Sequence, residues 1–157
     1  MATDFTTTNL QLEEMARQLD LPLLGVVSKD QLHGRVKVGT IIINLESSMD
    51  GGGTHWVMLK VFPKGQVIFF DPFGFAPPKE VKRYIKKKIA VSTRHIQDIG
   101  STTCGYYCLV CDCYMTHENQ SRDTYERFDD FLNVFKVDTR KNDEILKDYL
   151  HQYGISI

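Results

Sequence analysis

Cys104 opens the run Cys104-Gly105-Tyr106-Tyr107-Cys108, and upstream of it lie Gln97, Asp71 and the pair His55-Trp56. These residue types are the parts a thiol needs for nucleophilic acyl transfer. A histidine takes the proton, a carboxylate holds the imidazole in one tautomer, and an amide donates to the oxyanion formed on attack. Taken alone, each has an ordinary explanation: a strand-end histidine is more often structural, Asp-Pro is a common turn dipeptide, and a single glutamine carries no signal. The set as a whole points to chemistry at Cys104.

The elements that must position these residues follow from local pattern. Gly100-Ser101-Thr102-Thr103 leads into an apolar helix predicted over Cys104-Thr116. That puts Cys104 at a helix N-terminus, where the partial positive charge favours thiolate over thiol. Cys108 and Cys111 follow at helical spacing, turned inward, and with Cys113 read as small buried apolar residues. Two strands, Trp56-Phe62 and Val67-Phe70, flank Pro63-Lys64-Gly65-Gln66, which has hairpin turn chemistry. His55 precedes the first strand and Asp71 follows the second, so an antiparallel hairpin brings base and carboxylate to one edge, with the register left open. Gly53, Trp56 and Gly105 are expected to line a narrow substrate groove, glycine allowing close approach beside the nucleophile.

Elsewhere the pattern predicts a helix over Asn9-Leu19, with Thr8 as N-cap, Gln11 completing a capping box, and Leu10, Met15 and Leu19 among its apolar positions. A short strand follows at Leu23-Val27, then a turn at Lys29-Leu32, a buried strand at Thr40-Asn44 and a polar loop from Glu46 to Gly53. After Pro77-Pro78 come a helix over Lys79-Lys88, an extended segment Arg94-Asp98, and amphipathic helices at Thr124-Val134 and Asn142-Gln152. The expected fold is α+β, a mostly antiparallel central sheet flanked by helices, with the nucleophile at the N-terminus of a central helix.

Composition bounds the rest. A chain of 157 residues with 42% hydrophobic and 25% charged content fits one domain over 1–157. No apolar stretch approaches the roughly 20 residues of a membrane helix, and the polar start MATDFTTTN lacks signal-peptide character, so a protein of a reducing, intracellular compartment is expected. All four cysteines fall between Cys104 and Cys113, which excludes a disulfide between distant segments. Cys-x-Cys and Cys-x-x-Cys inside one continuous helix do not present four thiolates tetrahedrally, so no metal and no cofactor is expected. His33 and His151 read as surface residues, His95 and His117 as partly buried. A net charge of −1 gives no global drive toward nucleic acid. A local basic strip, Lys82, Arg83, Lys86, Lys87 and Lys88 with Lys79 and Arg94 nearby, reads either as a solvated helix face or as a contact for DNA or an acidic partner.

The segments Gly52-Gly53-Thr54-His55-Trp56, Phe70-Asp71-Pro72-Phe73-Gly74-Phe75 and Gln97 through Cys108 resemble the maturation proteases of adenoviruses. Similar small enzymes occur in virophages and related viral or transposon elements, and the SUMO-specific proteases are more distant. The resemblance covers roughly Leu10 to Met115 and is specific in order, spacing and flanking residues. It implies a cysteine peptidase fold with His55, Asp71 and Cys104 as triad and Gln97 in the oxyanion hole. It further implies a monomer that cuts capsid or core precursors after small residues such as glycine, in host cytoplasm or viral factory and within the virion, with DNA as a candidate activator. Two departures stand out. The adenoviral enzyme is longer at its C-terminus, and it takes a peptide cofactor through a disulfide on a cysteine upstream of the nucleophile, whereas no cysteine here precedes Cys104. From His117 onward no motif matches. The alternatives are a protease for ubiquitin-like modifiers and a catalytically silent module that binds nucleic acid.

Overall fold

The computed structural model describes residues 7–46 and 55–157. Helix α1 (Asn9–Gln18) starts as expected: Thr8 accepts from the Gln11 N–H at 3.2 Å and the Gln11 side chain accepts from the Thr8 N–H at 2.8 Å. Its buried stripe is Leu12, Met15, Ala16 and then Leu19, one face of a 3.6-residue period, while Leu10 points outward at 70% exposure.

Strands β1 (Gly25–Ser28), β2 (Gly39–Asn44), β3 (Trp56–Val61), β4 (Val67–Phe70) and β5 (Ala90–Val91) form one sheet in chain order. The central pairings β2–β3 and β3–β4 are antiparallel, but the flanking pairings β1–β2 and β4–β5 are parallel. The sheet is therefore mixed, not mostly antiparallel. The cause lies in the connections. Between β4 and β5 the chain crosses over through α2 (Lys79–Ile85), and a crossover returns the chain to the end from which it started. The connection from β1 to β2 does the same through a 3-10 turn at Lys29–Gln31.

β3 and β4 are covered on both faces, which explains their nearly unbroken apolar runs. Ile42, Trp56, Met58, Ile68 and Phe70 face α1, α3 (Cys104–His117), α4 (Thr124–Leu132) and α5 (Asn142–Gln152). Ile43, Val57, Leu59, Val67 and Phe69 face Val81 and Ile85 of α2. α3 is apolar nearly all round, the composition of a helix enclosed by other elements. Its buried charge, Asp112, meets Lys60 of β3 at 2.6 Å and the Thr40 hydroxyl at 2.7 Å.

α2 is shorter than expected. It stops at Ile85 because Lys86 turns left-handed at φ 58° as its cap, so Lys86, Lys87 and Lys88 lie beyond the helix and do not share a helical face. Arg94-Asp98 forms no strand; the Ile96 and Gln97 N–H groups both donate to the Pro72 carbonyl, at 2.9 and 3.1 Å. No helix among the described residues is long and apolar enough to cross a membrane.

Removing one partner of the buried Lys60–Asp112 pair strands the other charge. Asp112→Ala should cost about 3–5 kcal/mol of unfolding free energy in urea titration, and the double change Lys60→Met with Asp112→Leu should cost less.

Candidate active site

The hairpin fixes the base and its carboxylate. Met58 pairs with Phe70, and one further step of that register sets Asp71 across from Val57, diagonal to His55. His55 Nε2 lies 3.0 Å from Asp71 Oδ1, which also accepts the Phe73 N–H at 2.8 Å. That second bond is an Asx turn, which locks the carboxylate as the chain leaves β4. The turn closes with the Gly74 N–H on the Asp71 carbonyl at 2.8 Å and Gly74 at φ 80°. Phe73 stacks on the imidazole at 5.1 Å and meets His95 edge-on at 5.3 Å. Asp71 is 1% exposed, and its Oδ2 has no hydrogen-bond partner among the described residues.

Cys104 is the first residue of α3, as expected, and is buried. Its sulfur accepts the Trp56 N–H at 3.4 Å, and one turn on the Cys108 thiol donates to the Trp56 carbonyl at 3.5 Å. Because His55 Nε2 is committed to Asp71, Nδ1 is the nitrogen left for Cys104, whose side chain hydrogen-bonds the ring. Burial alone would depress the His55 pKa. The hydrogen bonds to Asp71 and Cys104, with the negative charge they carry, outweigh burial and raise it to about 9. Burial pushes the Cys108 and Cys111 thiols well up, and Cys113 up as well, so these three stay protonated core residues. A histidine that keeps its proton at neutral pH beside a cysteine at a helix N-terminus can give that proton to a leaving group after sulfur has attacked.

Gln97 is 1% exposed, and its Nε2 donates to the Ser101 carbonyl at 3.0 Å. That bond, with a longer one to the Ser101 hydroxyl at 3.4 Å, fixes which side of the amide faces the loop before α3. The Gln97 Oε1 is buried without a partner among the described residues.

The residues expected to line a groove are placed differently. Trp56 is buried at 4% exposure with its indole N–H donating to the Thr7 carbonyl at 3.0 Å. Gly105 lies beneath α1, where an added Cβ would sit 2.7 Å from Leu12 Cδ2 and 3.3 Å from Trp56. Both pack against the N-terminal segment, and Gly53 lies outside the described residues. Lys82, Arg83, Lys86, Lys87 and Lys88 are exposed and stand apart from this cluster, Lys87 donating to the Gly65 carbonyl at 2.6 Å. His33 and His151 are exposed as expected; His95 and His117 are exposed too, against the expectation of partial burial. Among the described residues no group of three His, Cys, Asp or Glu side chains could hold a metal ion.

Sequence reasoning missed the residues that hold the segment before α3. The Arg94 guanidinium donates to the Leu132 and Phe135 carbonyls, and the Thr139 hydroxyl to Asp98. Asn142, fully buried, donates to the Ile96 carbonyl at 2.8 Å. The region after His117, which carried no motif, is the scaffold on which Gln97 sits. A buried asparagine at a helix start was the available signal.

Two predictions follow from this geometry. Gly74→Ala puts a Cβ 2.8 Å from the Thr93 and Arg94 carbonyls at a left-handed position, and should cost at least about 1 kcal/mol by thermal or urea unfolding. A group whose folded pKa lies above its unfolded value stabilises the fold below the unfolded value and loses that contribution as pH rises through the folded one. The stability difference between the wild type and His55→Gln should therefore be largest below about pH 6.5 and shrink as pH rises toward about 9.

No protein-family model matches the chain. A protein named "Protease" from Bovine adenovirus 2 is 29% identical over 91 residues, 47% of this chain and 44% of the relative, so the match spans less than half of that protein's length. Among solved structures, the central domain of an uncharacterized Legionella pneumophila protein aligns over 95% of this chain and 96% of its own at 10% identity, with a TM-score of 0.49. The chain is thus distantly similar in sequence to an adenovirus protease.

Proposed function

We propose that this chain is a cysteine endopeptidase with Cys104 as nucleophile, His55 as proton acceptor and donor, Asp71 as its orienter, and Gln97 with the Cys104 N–H as oxyanion donors. The observation that carries the reading is the imidazole held between Asp71, at 3.0 Å from Nε2, and the Cys104 side chain. The cycle starts with the proton on the His55 ring: the Cys104 thiolate bonds to the peptide carbonyl carbon and the carbonyl electron pair moves onto oxygen. The C–N bond then breaks, the leaving amine takes the proton from the imidazolium, and a thioester remains. Water attacks the thioester and gives its proton to the now neutral His55, the C–S bond breaks, and the acid leaves with the thiolate and imidazolium restored. A His55 pKa of about 9 keeps the ring able to protonate the leaving amine at neutral pH. The likeness to an adenovirus protease supports viral capsid or core precursors, cut after small residues such as glycine, as the substrate class.

Cys104→Ala should abolish cleavage of a Gly-Gly-containing peptide while leaving the melting temperature nearly unchanged; cleavage that survives it sinks the reading. Gln97→Ala should lower kcat by about 10²–10³-fold with little change in KM, as loss of one oxyanion donor does. Cys108→Ala should keep most activity, since its thiol is a buried donor to Trp56.

A further inference from the structure

Asp143, in the first turn of α5, lies within hydrogen-bond distance of three hydroxyls around the head of α3. Tyr107 donates to its Oδ1 at 2.8 Å, and the Ser101 and Thr103 hydroxyl oxygens each lie 3.1 Å from it. Ser101 and Thr103 are 2.6 Å apart, so one of them donates to the other, which in turn donates to Asp143. Burial and the bond to Asp143 together push the Tyr107 phenol far up, so it remains a donor. Thr103 is the N-cap of α3, yet its side chain makes no cap bond. A threonine at that position ordinarily accepts from an N–H of the first turn; here the hydroxyl is turned toward Asp143 instead. The same loop presents the Ser101 carbonyl that orients Gln97.

Resting on the peptidase reading, we infer that Asp143 is a positioning residue for the oxyanion site. It fixes residues 101–103 and, through the Ser101 carbonyl, the Gln97 side chain, so that the amide is aimed at the reacting carbonyl oxygen.

The test separates oxyanion support from thiol reactivity. Turnover of a fluorogenic peptide anilide ending in Gly-Gly requires an oxyanion; alkylation of Cys104 by iodoacetamide, at a saturated carbon, does not. Asp143→Ala should lower kcat by about 10–100-fold with KM within about threefold, while its alkylation rate stays within about threefold of wild type. Asp143→Asn keeps an acceptor oxygen and should restore kcat to within about fivefold. If Asp143→Ala does not fold, the double change Ser101→Ala with Thr103→Val removes the loop's hydroxyls and should show the same split. Unchanged turnover in the folded variant, or turnover and alkylation falling together, overturns the positioning role alone. A wild-type chain that is alkylated at Cys104 but turns over no anilide overturns the peptidase reading, and this role with it.

Discussion

Trp56 is the joint between sheet and central helix. Its N–H donates to the Cys104 sulfur and its carbonyl accepts from the Cys108 thiol, so one residue at the start of β3 is gripped by two successive turns of α3. The two sulfurs play opposite roles for a positional reason. Cys108 lies inside the helix, where burial keeps the thiol protonated and therefore able to donate. Cys104 lies at the helix start, where its sulfur accepts the Trp56 N–H. Because His55 is the residue before Trp56, docking α3 on β3 sets the imidazole beside the sulfur without further adjustment.

Three aspartates, Asp71 and Asp112 buried and Asp143 half-buried, are handled in three ways, and the contrast separates support from chemistry. Asp112 is matched by the Lys60 ammonium and the Thr40 hydroxyl, a charge made structural by its partners. Asp143 collects neutral hydroxyls and binds α5 to the loop ahead of α3. Asp71 accepts one backbone N–H and one titratable ring and leaves its second oxygen without a partner among the described residues. Its charge raises the proton affinity of the imidazole it faces.

The C-terminal helices complete this arrangement at a distance in sequence. Arg94, Asn142 and Asp143 together tie residues 94–103 to the segment from Leu132 to α5. The loop carrying Gln97 has almost no secondary structure of its own, and its shape is imposed by these polar contacts with the scaffold.

Local signals were legible in the chain because short-range physics generates them. The Thr8–Gln11 capping box, the hairpin of β3 and β4, the start of α3 at Cys104 and the bounds of α5 all follow from periodicity, capping and turn chemistry within a few residues. The order of His55, Asp71 and Cys104, combined with that hairpin, was enough to predict base and carboxylate at one edge. What depends on long-range packing was not legible. The parallel flanks of the sheet come from crossovers, and β5, two residues long, has too little pattern to announce itself. Leu10, expected among the apolar positions of α1, is exposed because α1 turns its other face to the core, and the N-terminal segment covers the indole of Trp56. Sequence by itself determined which residue types were available for chemistry and the local element each occupies. Tertiary structure decided which of them meet, because hydroxyls on one loop and a carboxylate some 40 residues later share no local period, and only the docking of α5 against α3 brings them together.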